Sequence, residues 1–264
     1  MVDRYTKAAA YDDYMGRWSE RLAPLFADFA QVRDDTRVLD VGCGTGVLAK
    51  LLSGTTRRLI LVGIDLSQPF IDSCRLRFTD PRFSFDVGSA MDLPYPDASF
   101  DQALSLLMFH VIPEPEKAAR EMRRVSRPGG TAAACTWATG EGGMEMTGTF
   151  WEEATKRNSA ARNREERPRY CDRRGQLAEL WRATGFEGVQ EVTLEIQTEF
   201  RTFDDFWLPM TCGVGSPGVY LETQSQDERD ALREALRARL LGNAADRPIM
   251  LRARGLAVRG IVPS

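Results

Sequence analysis

A short apolar segment that runs into three alternating glycines constrains the fold of this chain more than any other feature. The segment, VLDVGCGTG, spans Val38 to Gly46. Its apolar, β-branched start predicts a buried strand, and the VLAKLL that follows places apolar residues on one helical face. Because glycine has no Cβ, the turn between them can bend sharply and lie close to a ligand. The sequence therefore predicts a strand, a turn and a helix that hold a ligand against main chain.

Strand-like and helix-like segments alternate from Arg37 onward, which indicates a mostly parallel sheet with helices on both faces. The segment at 101–109 is too apolar to face water on either side, as expected of a central parallel strand. Two later segments can supply a sixth and a seventh strand. We therefore predict an α/β fold with strands at 37–41, 58–65, 83–88, 101–109, 131–138, 189–200 and 251–262.

Helix ends are also marked in the sequence. The first core helix is expected to end at Gly54, and the helix after the second strand to begin at an N-cap, Ser67. The helix before the fifth strand is expected to stop at the Pro-Gly-Gly of 128–130.

Three stretches lie outside the alternating core, and we expect them to cover a ligand. Residues 1–35 form a predicted helical arm, and 139–176 and 201–249 are predicted cap insertions within a domain of 36–264 whose core is 36–138. Aromatic residues in the insertions fit an apolar or aromatic ligand, although residues of this kind more often form the cap's own core: Phe150, Trp151, Phe203, Phe206, Trp207 and Tyr220. The stretch 156–175 has eight basic and three acidic residues, which either meet an anion or lie in solvent.

Composition excludes several classes of protein. The net charge of −3 disfavours a general nucleic-acid surface. The five cysteines are scattered without CxxC spacing, so we expect neither disulfides nor a structural metal. The sequence has no apolar segment of the roughly 20 residues needed to span a bilayer, and its start has no secretory signal. We therefore expect a cytoplasmic protein.

An acidic residue after the glycine turn is a second candidate for ligand binding. Asp65 ends the second strand 23 residues after Gly42, where a carboxylate can accept hydrogen bonds from both hydroxyls of a ribose. Its alternative role is to cap the next helix. A dinucleotide fold is the rival interpretation, but its fingerprint fails at Val47, which stands where glycine or alanine is required. Asp40 is also better placed for an ammonium group than for a pyrophosphate.

Four motifs in this order resemble the class I S-adenosylmethionine-dependent methyltransferases. They are VLDVGCGTG (38–46), VGIDLS (62–67), GSAMDLPYPDASFD (88–101) and EMRRVSRPGG (121–130). The match covers about 37–138, and YDDYMGRWSERLA is similar to the leading helix of small bacterial methyltransferases of type 11. The resemblance implies a Rossmann-like seven-stranded fold with an N-terminal arm and a helical cap. It also implies S-adenosylmethionine as cofactor and S-adenosylhomocysteine as product.

The resemblance implies roles for particular residues. Asp65 would hold the ribose hydroxyls, and the family's usual aspartate toward adenine is replaced by Ser89. The arm residues would close over the cofactor or simply pack as an amphipathic helix. The implied cofactor contacts are Tyr14, Arg17, Trp18, Asp40, Gly42, Cys43, Gly44, Gly46, Asp65, Leu66, Ser89, Ala90, Met91 and Leu106.

A catalytic base is optional in such a reaction, because alignment of the reactants supplies much of the rate enhancement. His110, the single histidine, follows the fourth strand and is our candidate base. Its alternative role is a hydrogen bond near the strand end or a contact with the cofactor. Tyr11, Tyr14, Glu141 and Glu145 are further candidates.

The sequence thus predicts an enzyme that methylates oxygen, nitrogen or carbon of a small molecule and acts as a monomer or homodimer. It favours neither a metal, nor a nucleic-acid partner, nor a membrane. Three alternatives stay open: a non-catalytic regulator that binds the cofactor, an RNA methyltransferase, and a nicotinamide-dependent reductase.

Overall fold

Seven strands form one sheet in a computed structural model that describes residues 11–139, 142–161 and 170–264. The strands are β1 (Arg37–Val41), β2 (Ile60–Asp65), β3 (Phe83–Val87), β4 (Phe100–Leu106), β5 (Ser126–Trp137), β6 (Glu187–Phe200) and β7 (Ile249–Ile261). Their order is β3-β2-β1-β4-β5-β7-β6. The first five are parallel, and β7 pairs antiparallel with both β5 and β6. The predicted α/β, mostly parallel sheet is confirmed.

Helices cover both faces of this sheet. They are α1 (Arg17–Phe29), α2 (Val47–Thr55), α3 (Gln68–Arg77), α4 (Pro115–Val125), α5 (Glu145–Arg157), α6 (Gln176–Ala183), α7 (Phe203–Trp207), α8 (Gly215–Glu222) and α9 (Gln226–Leu241). Buried residues of α1 to α3 and of the cap helices α5 and α7 to α9 share one hydrophobic cluster. Those of α4 and α6 share a second cluster on the opposite face. None of the described helices is long and apolar enough to cross a membrane.

The order of the strands determines where a ligand can lie. Crossovers run outward from β1 toward β3 on one side and from β4 toward β5 on the other. A crevice forms where the direction reverses, outside the carboxyl ends of the two central strands. Val41 and Leu106 end these strands at the same edge, so the glycine turn and the segment after β4 meet there.

Several element ends differ from the sequence expectation. The helix α2 continues through Gly54 to Thr55, because one glycine in an exposed last turn costs only about 1 kcal/mol. The Pro-Gly-Gly of 128–130 lies inside β5, where a register shift against β4 leaves room for it and the Gly129 N–H donates to Val262 O at 2.9 Å. The strand β4 ends at Leu106, three residues earlier than predicted. The helix α6 had no clear signal in the sequence.

Trp181 fixes α6 to the sheet. Its ring is fully buried, stacks on Phe186 at 5.5 Å and meets Phe109 edge-on at 5.2 Å. Its indole N–H donates to Ala132 O of β5 at 3.1 Å. We expect W181A to lower the free energy of unfolding by about 3–5 kcal/mol, because it leaves a large cavity. We expect W181F to cost about 1–2 kcal/mol, mainly for the unpaired carbonyl. Urea denaturation measures both, and equal losses in the two variants would contradict this account.

Candidate functional site

The crevice is the mouth of a cavity of about 1800 Å³. Its walls come from the ends of β1, β2 and β4, from the N-terminal arm, and from the cap helices α5 and α8. A pocket for one small molecule usually measures roughly 300–1,000 Å³. This cavity is therefore large enough for two ligands side by side.

The three glycines have different tasks. All have left-handed backbone, with φ of 73° at Gly42, 54° at Gly44 and 86° at Gly46. A Cβ at Gly42 would lie 2.8 Å from Met108, and one at Gly46 would lie 2.6 Å from the Phe78 ring. A Cβ at Gly44 would meet no atom within 4 Å among the described residues. The outer glycines therefore permit close packing, and the middle one presents bare main chain to open space.

Asp40 is a buried carboxylate on the cavity wall. It is 1% exposed, and in the part of the chain that the structure describes no group donates a hydrogen bond to either oxygen. Burial, and to a smaller extent the charge of Asp65, raises the pKa of Asp40 to about 8. An unpaired buried acid is costly unless a cation or donor reaches it. Asp40 is thus poised to receive a positively charged group from the cavity.

Asp65 joins two segments of the site. Its Oδ2 accepts the Gly44 N–H at 3.0 Å, and its Oδ1 accepts the Ser67 N–H at 2.9 Å. It therefore holds the middle glycine and the backbone of Ser67, the residue that precedes the first turn of α3. The Ser67 hydroxyl caps no backbone group among the described residues. Asp65 lines the cavity, so its carboxylate can serve a ligand as well.

A second group of predicted residues lies beside Asp65. Leu66 is 68% exposed on the rim, and the Ser89 hydroxyl accepts the Met91 N–H at 3.1 Å. Ala90, Met91 and Leu106 also line the cavity. These residues form a largely apolar wall beside the carboxylate. The Ser89 hydroxyl therefore accepts a hydrogen bond within the local turn. One carboxylate oxygen of an aspartate at this position could accept the same bond.

Three predicted contacts lie behind the cavity wall. Arg17 pairs with Asp205 at 2.6 Å and lies over the Phe200 ring at 4.7 Å. Trp18 is fully buried against Phe200, with ring centroids 5.9 Å apart. Gly46 packs against α3 as described above. Their placement gives these residues a role in docking the arm and the helix α2, because the structure does not bring them to the cavity surface.

The arm nevertheless forms part of the cavity wall. The arm residues that line it are Tyr11, Tyr14 and Met15, and Cys43 of the glycine turn lines it beside them. Gly215 in α8 leaves room for the Tyr14 ring, because a Cβ at this position would lie 2.5 Å from the ring.

A clasp that the sequence did not reveal fixes the arm to the glycine turn. Asp12 accepts a hydrogen bond from the Thr45 hydroxyl at 2.5 Å and from the Arg77 guanidinium at 3.1 Å. Arg77 also donates to Thr45 O at 3.2 Å.

The chain bends sharply after β4. Leu107 has a φ of 66°, unusual for a residue with a side chain, and its N–H donates to Cys135 O at 2.7 Å. The bend brings Met108 over Gly42 and sets His110 on the cavity wall. His110 thus shares one cavity with Asp40 and Asp65. Glu145 also lines the cavity, but it pairs with Arg252 at 2.9 Å, and Glu141 lies outside the described residues.

The aromatic residues of the insertions do not form the ligand pocket. All six are buried in the cap's own core, where Phe150, Trp151 and Tyr220 meet edge to face, and no member of the set lines the cavity. Of the two interpretations that the sequence left open, the structure supports the cap's own core. The cap presents smaller side chains to the cavity, among them Thr147, Gly148, Ser216 and Val219.

Known proteins resemble this chain in both sequence and fold. Residues 39–134 match the methyltransferase domain family. A fatty-acid O-methyltransferase of Mycolicibacterium smegmatis is 39% identical over 118 residues, 45% of this chain and 43% of that protein. The 27-O-demethylrifamycin SV methyltransferase of Amycolatopsis mediterranei is 34% identical over 131 residues, 48% of this chain and 46% of that protein. The matches thus span less than half the length of these two relatives.

A solved structure extends the likeness to the whole fold. The Haemonchus contortus phosphoethanolamine N-methyltransferase 2 in complex with S-adenosyl-L-methionine superposes with a TM-score of 0.61 at 19% identity. The superposition covers 100% of this chain and 61% of that one. At this identity the likeness concerns the fold.

The protonation of Asp40 gives a test that needs no ligand. Its folded pKa of about 8 lies above the roughly 3.9 of an unfolded aspartate, so between these values the folded chain binds the extra proton. The free energy of unfolding therefore decreases as pH rises through this window. D40N removes the titration, so the stability of the wild type relative to D40N should fall by a few kcal/mol from about pH 5 to about pH 8. Urea denaturation measures the difference, and a pH-independent value would refute it.

Proposed function

We propose that this chain, which carries the methyltransferase domain of the class I S-adenosylmethionine-dependent enzymes, transfers the methyl group of S-adenosylmethionine to a small-molecule acceptor. The observation that carries the proposal is the pair of carboxylates, Asp40 and Asp65, on the two sides of an open glycine. Both carboxylates lie near the ends of strands, β1 and β2, within the residues that match the methyltransferase domain family, and both line the cavity.

The site fits the cofactor in four respects. The uncompensated carboxylate of Asp40 matches an ammonium group, because pairing would satisfy its buried oxygens. Gly44 leaves main chain bare where an amino-acid tail would lie. Asp65 is held by two N–H groups in a fixed orientation, which suits it to accept hydrogen bonds from two neighbouring hydroxyls. Leu66, Ala90 and Met91 then offer an apolar surface for a flat base.

Alignment is the main contribution we assign to the protein. S-adenosylmethionine supplies a methyl group on a positively charged sulfur, which nucleophiles attack directly. The chain's own residues have to hold an acceptor in line with that methyl group and keep water out, which is worth several kcal/mol in well-aligned systems, about 7–11 at best. The bend at Leu107 and the lining of α5 and α8 provide the walls for this alignment.

His110 is the base in this proposal. It lies on the cavity wall after β4, four residues beyond the strand end, and can take a proton from an acceptor hydroxyl or acidic carbon. The acceptor we infer is apolar in body, since Trp137, Met144 and Leu251 line the cap side of the cavity. We place the reaction in the cytoplasm, with a monomer or a homodimer as the working unit.

Cofactor binding tests the proposal directly. Calorimetry with S-adenosylmethionine and S-adenosylhomocysteine should give saturable heat with the wild type. D65A should weaken both at least about 100-fold, because each lost hydrogen bond to a charged group contributes about 1.5–3 kcal/mol. D28A, at an exposed aspartate of α1 outside the cavity, is the matched control and should bind as the wild type does. The absence of heat with either compound would end the proposal.

Turnover tests the role of His110. The wild type is offered phenols, quinols, amines and hydroxylated lipids, and methylated products are detected by mass spectrometry. With an accepted hydroxyl or carbon acid, H110A should lower kcat about 100-fold or more, because it removes the base. Its Kd for S-adenosylhomocysteine should stay within about twofold of the wild type. A loss of kcat below about fivefold would assign His110 to packing, and cofactor binding without any product would favour the non-catalytic regulator.

A further inference from the structure

A second cavity, of about 560 Å³, opens beside the main one. The two share three lining residues, Ala138, Thr139 and Gly142, which follow β5. These three residues are therefore a common wall, at which the two cavities adjoin. We call the second cavity the arginine pocket after its charged lining, formed by Asp172, Arg173, Arg174, Glu195 and Arg254.

Two guanidinium groups of the arginine pocket carry uncompensated charge. The Arg254 Nε lies 2.8 Å from Glu195, so that pair is neutral. Asp172 accepts the Thr139 hydroxyl at 2.6 Å and pairs with no base. Among the described residues, no carboxylate lies within ion-pair distance of Arg173 or Arg174. These two belong to the basic stretch 156–175, of whose other described residues Tyr170 lines the main cavity and Asp172 lines the arginine pocket.

Gly142 lies where the two cavities adjoin, and its lack of a side chain leaves room there for Arg254. Gly142 has a φ of 77°, and a Cβ there would lie 2.2 Å from Nη1 of Arg254. The Arg254 guanidinium therefore rests against bare main chain where the cavities meet. It turns a third positive group, though a paired one, toward this junction.

The main cavity has the opposite charge. Five acidic side chains line it: Asp40, Asp65, Glu145, Glu152 and Glu222. The raised pKa of Asp40 keeps that group protonated near neutral pH, and Glu145 pairs with Arg252, so the negative charge of the wall comes chiefly from Asp65 and Glu222. Arg239, which also lines it, pairs with Glu152 and, at 2.8 Å, with Glu153. An anionic group is repelled by such a wall and attracted to the arginine pocket next to it. The difference in charge orients any acceptor that has one anionic end.

We propose that the arginine pocket binds an anionic group of the methyl acceptor, a carboxylate or a phosphate, while the apolar body and the nucleophile lie in the main cavity. This rests on the proposed function, because it assigns the main cavity to methyl transfer. Arg173 and Arg174 hold the anion by charge-assisted hydrogen bonds. The acceptor class is an amphiphile with an anion at one end and a methylatable group on its body.

Three probes of equal chain length test the pocket without any turnover. Decyl phosphate, decanoate and 1-decanol are titrated against the full chain, with and without S-adenosylhomocysteine, at low and at high NaCl. The variant R173A/R174A removes the two free charges. The control R21A/R182A removes the same charge from exposed arginines of α1 and α6 that line neither cavity. Thermal unfolding of each variant shows that the fold is retained.

We expect at least one anionic probe to bind about tenfold or more tightly than 1-decanol, and high salt to reduce that preference. R173A/R174A should abolish the preference and leave 1-decanol within about twofold, whereas R21A/R182A should change neither. The better of the two anions identifies the headgroup. The proposal is overturned if 1-decanol binds as tightly as both anions, if the control variant loses as much as R173A/R174A, or if no probe binds. Heat with S-adenosylhomocysteine alone separates these results from a failure of the proposed function.

Discussion

A buried acid that no described group satisfies, at the end of a central strand, is the constraint on which the candidate site depends. Asp40 belongs to β1, whose neighbours on both sides bury it, and no described group satisfies its oxygens. Folding alone would select an apolar residue there, because a buried polar group without a partner is destabilising. The chain tolerates it at one position where the crevice of the sheet opens. Binding of a cation returns the free energy that folding gives up, which links cofactor affinity to the stability of the strand.

Polar contacts of two residues attach the start of the described N-terminal arm to its neighbours. Asp12 joins it to Thr45 and Arg77 at the glycine turn, and Arg17 joins it to Asp205 in the cap. Partly exposed pairs of this kind contribute only about 0–1 kcal/mol each. Burial contributes more than these pairs do, because Tyr14, Met15 and Trp18 at the start of the described arm are all buried. Apolar packing and polar contacts therefore act together to hold the arm on the glycine turn and the cap.

Local signals in the sequence predicted the sheet and its class, but they did not predict the contacts that attach the arm and α6 to it. The strand at 37–41, the glycine turn and the alternation that follows are recorded in neighbouring residues, so the sheet and its class were predictable. The helix α6 is short and depends on Trp181, whose partners lie far away in the chain. The places of Arg17 and Trp18 depend on Phe200 and Asp205, more than 180 residues later. No spacing rule reports such pairs.

Two sets of residues in the cap have different roles: one set is buried and stabilises the cap, and the other lines the cavity. Large aromatic side chains meet one another inside it, where burial of their area stabilises the cap and where a substitution would cost several kcal/mol. Small and polar residues of α5 and α8 face the cavity, where a substitution changes shape at little cost in stability. A cap built in this way can change the shape of the cavity through a few lining positions while its core stays intact. Under the proposed function, we assign selectivity for the acceptor to positions such as Gly148 and Val219, and the donor site to the strand ends of the sheet.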